Sequence, residues 1–225
     1  MKISVIIPVL REEAIINRAI ERILANDRAV EIVVVDGDPQ GRTLLAVTCG
    51  EALLIASEAG RGRQMNEGAR AAGGDILVFL HADTVLPANA FRSISSAMRN
   101  RRLKGGAFDL AIDGQGVIFR LIEWAASLRS RLTRIPYGDQ ALFLRRDYFM
   151  QIGGYRDIPL MEDVDLMRRV KAGGDRIRII RGKAKTSARR WEQEGVLRCT
   201  LRNWTIMLLY LLGVSPRRLV KWYPS

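Results

Sequence analysis

The sequence predicts an α/β fold, a mostly parallel central sheet flanked by helices, and three observations predict it. Short runs that are apolar on both faces alternate with stretches of helical periodicity, the pattern of parallel strands covered on each side. Several runs end abruptly in acidic residues, most clearly Ile76-Leu77-Val78-Phe79-Leu80, which gives way to His81-Ala82-Asp83-Thr84. In open α/β sheets the carboxyl ends of the strands line the ligand crevice, so His81 and Asp83 are expected at its mouth, on one side by strand alternation. The same Asp83-Thr84 pair also suits a cap for the helix after Pro87. At 225 residues and 48% hydrophobic, the chain has material for one substantial core.

The elements follow in order. Residues 3–8 form a first strand and residues 13–26 a helix, with Ile15, Ile16, Ala19, Ile20, Ile23 and Leu24 on its apolar face. Residues 31–35 make a second strand that ends at Asp36-Gly37-Asp38-Pro39, a turn sequence that again brings carboxylates to a strand's end. A helix over 43–49 and a strand over 53–56 complete right-handed βαβ units. Gly60-Arg61-Gly62-Arg63 then leads into a helix running to Gly73-Gly74. Arginines at a helix amino terminus suit a phosphate, although solvated arginines on an ordinary helix read the same way.

Beyond the His81 strand the pattern changes. Residues 104–112 read as a strand opening on Gly105-Gly106, and residues 117–132 as an apolar-rich helix containing Trp124. Tyr137-Gly138-Asp139-Gln140 precedes a short strand over 141–144, and a helix over 146–152 stops at Gly153-Gly154. Met161-Glu162-Asp163-Val164-Asp165 opens a helix ending near Gly173-Gly174; acids in a first turn complement the helix dipole and so have an innocent reading too. Strands over 176–180 and 184–189 and a long helix over 193–212 finish the pattern.

A formal net charge of +12 favours anionic partners: nucleotides, nucleic acid, phosphorylated substrates or an acidic membrane surface. Two cysteines, Cys49 and Cys199, lack metal-site spacing and suit a reducing compartment. The first apolar run is too short for a signal peptide, and residues 204–214 amount to about half of a membrane span, so a cytoplasmic protein is expected. Basic and aromatic residues interleave after that apolar stretch, from Arg217 to Tyr223. This tail has two readings: a peripheral contact with an anionic leaflet, or a helix packed on the sheet or on a second subunit of a homodimer.

Five motifs in order, Val5-Ile6-Ile7-Pro8-Val9-Leu10-Arg11-Glu12-Glu13, Val33-Val34-Val35-Asp36-Gly37, the 60–71 segment, Phe79-Leu80-His81-Ala82-Asp83-Thr84 and Glu162-Asp163, make the chain resemble the family 2 glycosyltransferases over residues 1–190. The His-Ala-Asp-Thr, Tyr-Gly-Asp-Gln and Ser-Ala-Arg-Arg-Trp strings are similar to the radical-SAM/selenodomain-associated transferase 2 subgroup. The resemblance implies a single GT-A domain, the Rossmann-like nucleotide-diphospho-sugar transferase fold. Residues 1–100 would be its nucleotide-sugar-binding half, 101–190 its acceptor half and 191–225 a C-terminal helix and tail. It implies transfer of one sugar, with inversion, from a nucleotide-diphospho-sugar, UDP by default, to an unknown small-molecule or lipid-linked acceptor.

The resemblance also distributes roles. Asp36 would accept a hydrogen bond from the donor base in a pocket shaped by Pro8 and Glu12, and Arg63 would approach the diphosphate. Asp83 takes the last position of a D-x-D metal motif, holding Mg²⁺ or Mn²⁺ against the diphosphate, a task one carboxylate can perform with phosphate oxygens. Asp163 looks like the general base, with Glu162 beside it. Departures qualify this. His81 replaces the first Asp of that motif, with Ala82 between them, and either contacts ribose or diphosphate or ligates the metal. Gly37-Asp38-Pro39 replaces the usual acidic-glycine-serine run, which leaves base preference open. The Q-x-x-R-W string of processive synthases is absent, and Arg189-Arg190-Trp191 stands near its place. The arginines would neutralise diphosphate and Trp191 stack on a sugar, or the pair would sit on an exposed strand edge. The competing readings are a degenerate nucleotide-sugar-binding relative and a basic nucleic-acid or membrane module. Nucleic acid is not expected, because a charge platform has no use for Asp36, Asp83 and Asp163.

Overall fold

The computed structural model describes residues 1–222; Tyr223, the last aromatic residue of the basic tail, lies outside the described residues with Pro224 and Ser225. In chain order, β1 (Ile3–Val9), α1 (Ile16–Asn26), β2 (Glu31–Asp36), α2 (Arg42–Ala46), β3 (Leu53–Ala56), α3 (Arg61–Ala71), β4 (Ile76–Phe79) and α4 (Ala90–Met98) make the first half. The second comprises β5 (Leu103–Asp113), α5 (Val117–Thr133), β6 (Phe143–Arg145), α6 (Arg146–Gln151), α7 (Glu162–Ala172), β7 (Arg176–Ser187), α8 (Arg189–Glu194), α9 (Val196–Leu211) and α10 (Pro216–Leu219). Among the described residues the strands form one sheet in the order β3-β2-β1-β4-β6-β5-β7.

Side-chain alternation divides the central strands between two cores. Val5, Ile7 and Val9 of β1, Ile32 and Val34 of β2, and Ile76 and Val78 of β4 face α1 and α4 across Ile16, Ile20, Phe91 and Ile94. Ile6, Val33, Val35, Leu77 and Phe79 point the other way, against Met65 and Ala69 of α3 and Leu166 and Met167 of α7. Each large side chain so buried stabilises the fold by about 1.5–3 kcal/mol. This two-sided burial is why the strands read as unbroken apolar runs.

β1 to β4 run parallel to one another, β5 and β7 run parallel as well, and β6 alone is antiparallel to its neighbours, β4 and β5. Strand order reverses about β1, with β2 on one side and β4 on the other, which opens a crevice beyond their carboxyl ends. Pro8, lacking an N–H, lies past the last β1–β4 pair, Ile6 with Phe79, where the ladder has already parted. Gly105 and Gly106 let β5 pass between its neighbours, because a Cβ at either would collide with the carbonyl oxygen of Phe143 or of Arg178.

Three expectations change in the second half. The strands expected over 176–180 and 184–189 are one strand, β7, carrying a bulge: the register with β5 shifts from Phe108↔Ile180 to Asp109↔Lys183, leaving Arg181 and Gly182 extra. β7 ends at Ser187, so Arg189-Arg190-Trp191 opens a helix and does not sit on a strand edge. The long helix expected from residue 193 is broken at Gly195, whose φ of 83° separates α8 from α9.

Candidate functional site

The crevice is assembled from the segments that follow β1, β4 and the 3₁₀ turn Gly138–Gln140, and from the start of α7. Each is anchored by backbone hydrogen bonds. Gln64 of α3, buried, donates through Nε2 to the carbonyls of Val9 at 2.7 Å and Val35 at 2.8 Å, so the amino terminus of α3 is held over the ends of β1 and β2. The loop after β4 is clamped to β7 by two 2.8 Å bonds between the backbones of Val85 and Lys185. Gln140 is fully buried, donates to the Phe108 carbonyl at 2.9 Å and accepts from the Ser130 hydroxyl at 2.7 Å. These anchors fix three loops that would otherwise be mobile.

Gly138 is where the loops meet. Its N–H donates to Asp163 Oδ2 at 2.6 Å, while Asp163 Oδ1 accepts from the Val164 N–H at 2.7 Å. A side chain at 138 would place its Cβ 3.2 Å from His81 Nε2 and 3.4 Å from Asp163 Oδ2, so His81 and Asp163 converge on this glycine and a Cβ there would crowd the imidazole. Next to it, Asp139 Oδ1 is buried without a hydrogen-bond partner. Burial pushes the Asp139 carboxyl up to about 6, with Asp163 and Asp83 adding to the shift and Arg129 opposing it. Glu162 is raised as well, by burial and by Asp163, against the pull of Arg61. Glu12 is raised by burial and by Asp83, with Arg189 and Arg61 opposing. Burial together with Arg61 and Arg190 holds His81 neutral, its value lowered to about 3.

Several carboxyl groups and a neutral imidazole thus share the cleft, with Arg61 as the cation felt by Glu12, His81, Glu162 and Arg190 alike. Among the described residues no three or more His, Cys, Asp or Glu side chains are grouped to hold a metal ion by themselves. The donors present nevertheless suit a hard cation shared with a ligand's phosphates: among the described residues Asp83 engages the Thr84 hydroxyl, at 3.4 Å, and the unpartnered oxygen of Asp139 belongs to a carboxyl whose proton affinity the charge of Asp83 helps to raise.

The residues singled out from the sequence fare unevenly. Glu12, His81, Asp83, Glu162 and Asp163 come together, and Arg189 and Arg190 approach from α8. Ala82 belongs to the core, so its backbone is what borders the cleft. Pro8 is buried in β1. Asp36 is fully buried and accepts from the N–H groups of Asp38 at 2.9 Å and Thr43 at 3.2 Å; in this structure it organises the turn. Arg63 turns away, paired with Asp157 at 2.6 Å and with Glu58, and Arg61, two residues earlier and the first residue of α3, supplies the charge in the cleft. Trp191 packs edge-on against Phe119, ring centroids 6.4 Å apart, in a small core with Leu110 and Ile112, and so is not presented to a sugar. Asp165 is committed to Arg156 at 3.2 Å and Arg169 at 2.8 Å. Sequence reasoning passed over Gly138 and Arg61; the glycine within Tyr-Gly-Asp-Gln and the helix-opening position of Arg61 were the available signals.

The sequence profile described as Glycosyl transferase family 2 matches residues 4–156. A search of curated proteins gives no match. Among solved structures, residues 1–349 of TarS from S. aureus align with a TM-score of 0.62 and 18% identity, over 84% of this chain and 61% of that one. The same fragment in complex with UDP-GlcNAc aligns with a TM-score of 0.64 and 16% identity, over 83% and 58%. The mannosyltransferase PcManGT from Pyrobaculum calidifontis, in complex with GDP-Man and Mn²⁺, aligns with a TM-score of 0.63 and 21% identity, over 82% and 56%. The chain thus spans less than two thirds of the length of each. At such identities the likeness shows the fold, which is GT-A.

Proposed function

This chain belongs to glycosyl transferase family 2, and from that premise we propose that it transfers one sugar from a nucleotide-diphospho-sugar, UDP-linked by first choice, to an acceptor hydroxyl with inversion at the anomeric carbon. The observation that carries the reading is the meeting of His81, Asp83, Asp139 and Asp163 about Gly138, at the carboxyl side of the sheet. Asp163 removes the acceptor proton; two backbone N–H groups hold its oxygens while leaving lone pairs for the acceptor. Glu162, biased toward its neutral form, donates to the acceptor without competing for that proton. The departing diphosphate lies against Arg61 at the positive end of α3, with Arg189 and Arg190 on the other side.

Asp83 holds a divalent cation, Mg²⁺ or Mn²⁺, together with the donor's own oxygens, and the ion supplies neutralisation of charge on the leaving nucleoside diphosphate. His81 contacts the ribose or the diphosphate as a neutral donor or acceptor. The 101–190 region shapes the acceptor pocket, and the absence of the Q-x-x-R-W string favours single transfer over polymer synthesis.

Melting curves with UDP, GDP and dTDP, each with and without Mn²⁺, test the reading, because a ligand that binds the native state alone raises the transition temperature. Stabilisation by one nucleotide with metal is expected, along with slow hydrolysis of the matching nucleotide-sugar. A flat response to all three with metal sinks the donor site, and stabilisation without any turnover of donor would mark a silent nucleotide-sugar binder.

A further inference from the structure

The apolar-rich helix read from the sequence over residues 117–132 turns a row of apolar side chains outward. On α5, Val117, Leu121, Trp124, Leu128 and Leu132 recur at spacings of three and four, and all are exposed. α9 repeats the arrangement with Leu197, Leu201, Trp204, Leu208 and Leu211. The inward faces differ: α5 buries Phe119, Glu123 and Ser130, and α9 buries Cys199 and Ile206. The helices join over one small core, where Phe119, Ile122 and Ala126 of α5 meet Trp191 of α8 and Val196 of α9. Three of the chain's four tryptophans are therefore in solvent: Trp124 at 63%, Trp204 at 65% and Trp222 at 58% exposure.

From α9 onward the charge has a single sign. No acidic residue occurs from Gly195 to the end of the chain, against Arg198, Arg202, Arg217, Arg218 and Lys221. Beside α5 a groove of about 500 Å³ is lined by Trp124, Leu128 and Arg181 and by two compensated clusters, Asp109 with Arg131 and Glu123 with Arg120 and Lys183, while Arg176, Arg178 and Arg181 of the edge strand β7 make no ion pair among the described residues. Arg202 is paired with Glu194, but Arg198 of α9 and Arg217, Arg218 and Lys221 beyond it would find no acid of residues 195–225 to meet them in a second copy. An anionic surface complements the patch, and tryptophan flanked by arginine suits the boundary between headgroups and acyl chains. Among the described residues no helix is long and apolar enough to cross a membrane, so the contact would lie in the surface plane.

We propose that α5 and α9 form a platform that docks the chain onto an anionic phospholipid bilayer, with Trp124, Trp204 and Trp222 entering the interface and the neighbouring arginines pairing with headgroup phosphates. Docking stands without the sugar-transfer reading. Where that reading also holds, the docked α5 leads directly into the Tyr137–Gln140 turn of the cleft and points to a lipid-linked acceptor.

Flotation of the full-length chain with phosphatidylcholine vesicles, alone or with about 30 mol% phosphatidylglycerol, tests it. Binding is expected to the anionic vesicles and not to the neutral ones, and to weaken as salt rises. Trp124→Glu with Leu128→Glu should lower the bound fraction about tenfold, as should Leu201→Glu with Trp204→Glu on the other helix, with unchanged far-UV circular dichroism. All four positions are solvent-exposed, so either pair alone suffices if the other fails to fold. Absence of binding to anionic vesicles, equal binding to both kinds, or binding unaffected by either pair overturns the platform, as does a parent dimer that floats with neither and becomes monomeric in the variants. The nucleotide melting shift reports on the transfer reading separately.

Discussion

β1 and β4 are buried on both faces, whereas β7, at the far edge of the sheet, buries Ala184 and Thr186 and leaves Arg176, Arg178, Arg181, Lys183 and Lys185 in solvent. Between these extremes the chain changes its use of side chains. Around β1, β2 and β4, apolar residues face helices and polar residues gather at the strand ends, where Asp36 accepts from the N–H groups of Asp38 and Thr43. Around β5 and β7, helices α5 and α9 turn apolar faces outward and the acids sit in a turn held by Gln140. The first half is a rigid frame that delivers ligands; the second completes the site and presents a surface. A protein divided this way should show mutational effects that separate binding of the donor from chemistry on the acceptor.

The largest effect expected is at the join. Asp163→Asn keeps the shape of the side chain but cannot accept the acceptor proton, so single-turnover transfer at saturating donor should fall by about 10²- to 10⁴-fold with donor affinity nearly unchanged. A rate within threefold of the parent would move the base to Asp139, since Asp165 is tied up by Arg156 and Arg169. Asp83→Ala, in the loop after β4, should have the converse signature: loss of the metal-dependent part of the melting shift given by the nucleoside diphosphate, with the fold intact. Asp83 is partly exposed and its neighbour Thr84 does not depend on it for burial. An undiminished metal-dependent shift would return Asp83 to the role of a helix cap.

A smaller effect separates two arginines two residues apart, on different faces of α3. Arg61→Ala should weaken nucleoside diphosphate binding by about tenfold, the scale of one lost charge-assisted contact. Arg63→Ala should leave binding alone and cost at most about 1 kcal/mol of stability, because its pairs with Glu58 and Asp157 are surface ones. Calorimetric titration of UDP into both variants decides the matter, and a larger loss from Arg63 would mean that its ion pairs open when the donor arrives. The sequence could not make this distinction. Gly-Arg-Gly-Arg announces phosphate chemistry through composition, yet which arginine faces the cleft depends on the phase of α3, and that phase is set by Gln64 reaching the carbonyls of Val9 and Val35 across the fold.

The same contrast governs what could be read in advance. Strands β1, β2 and β4 and their terminal acids were legible because two-sided burial imposes an uninterrupted apolar run, a local signal. The bulge that makes β7 one strand and the outward turn of α5 were not, since the first depends on pairing with β5 and the second on which of two apolar faces finds a partner. Trp191 shows the limit sharply. Its position after two arginines suggested a sugar platform, and the tertiary contact with Phe119 gave it to a small core instead. Gly138 carried its signal in plain view, but the reason for it, the approach of His81 and Asp163, exists only once β4 and α7 are assembled.

The smallest effect compares two aspartates whose surroundings act in opposite directions. In the first half, Asp38 is lowered from its ordinary value, chiefly by the hydrogen bond and charge of Arg42 at 2.8 Å, so it contributes stability above the unfolded-state value of 3.8 that is lost as pH falls. In the second half, Asp139 is raised to about 6 by burial and by Asp163 and Asp83, and the native state therefore holds a proton that the unfolded chain has released. Stability from this residue is fully present below about 3.8 and is lost as pH rises toward about 6. Asp139→Asn, which cannot ionise, should remove that loss: its urea midpoint should exceed the parent's at pH 7, and the difference should shrink as pH is lowered through the window from about 6 to about 4. Asp38→Asn should behave the other way, weaker than the parent at pH 7 and converging with it in acid. If the Asp139→Asn and parent midpoints run parallel across that range, Asp139 is already paired in solution and does not hold the extra proton assigned to it. A gain in stability accompanied by a loss of transfer would show that the second half keeps an uncomfortable carboxyl group at the cleft for the sake of the chemistry there.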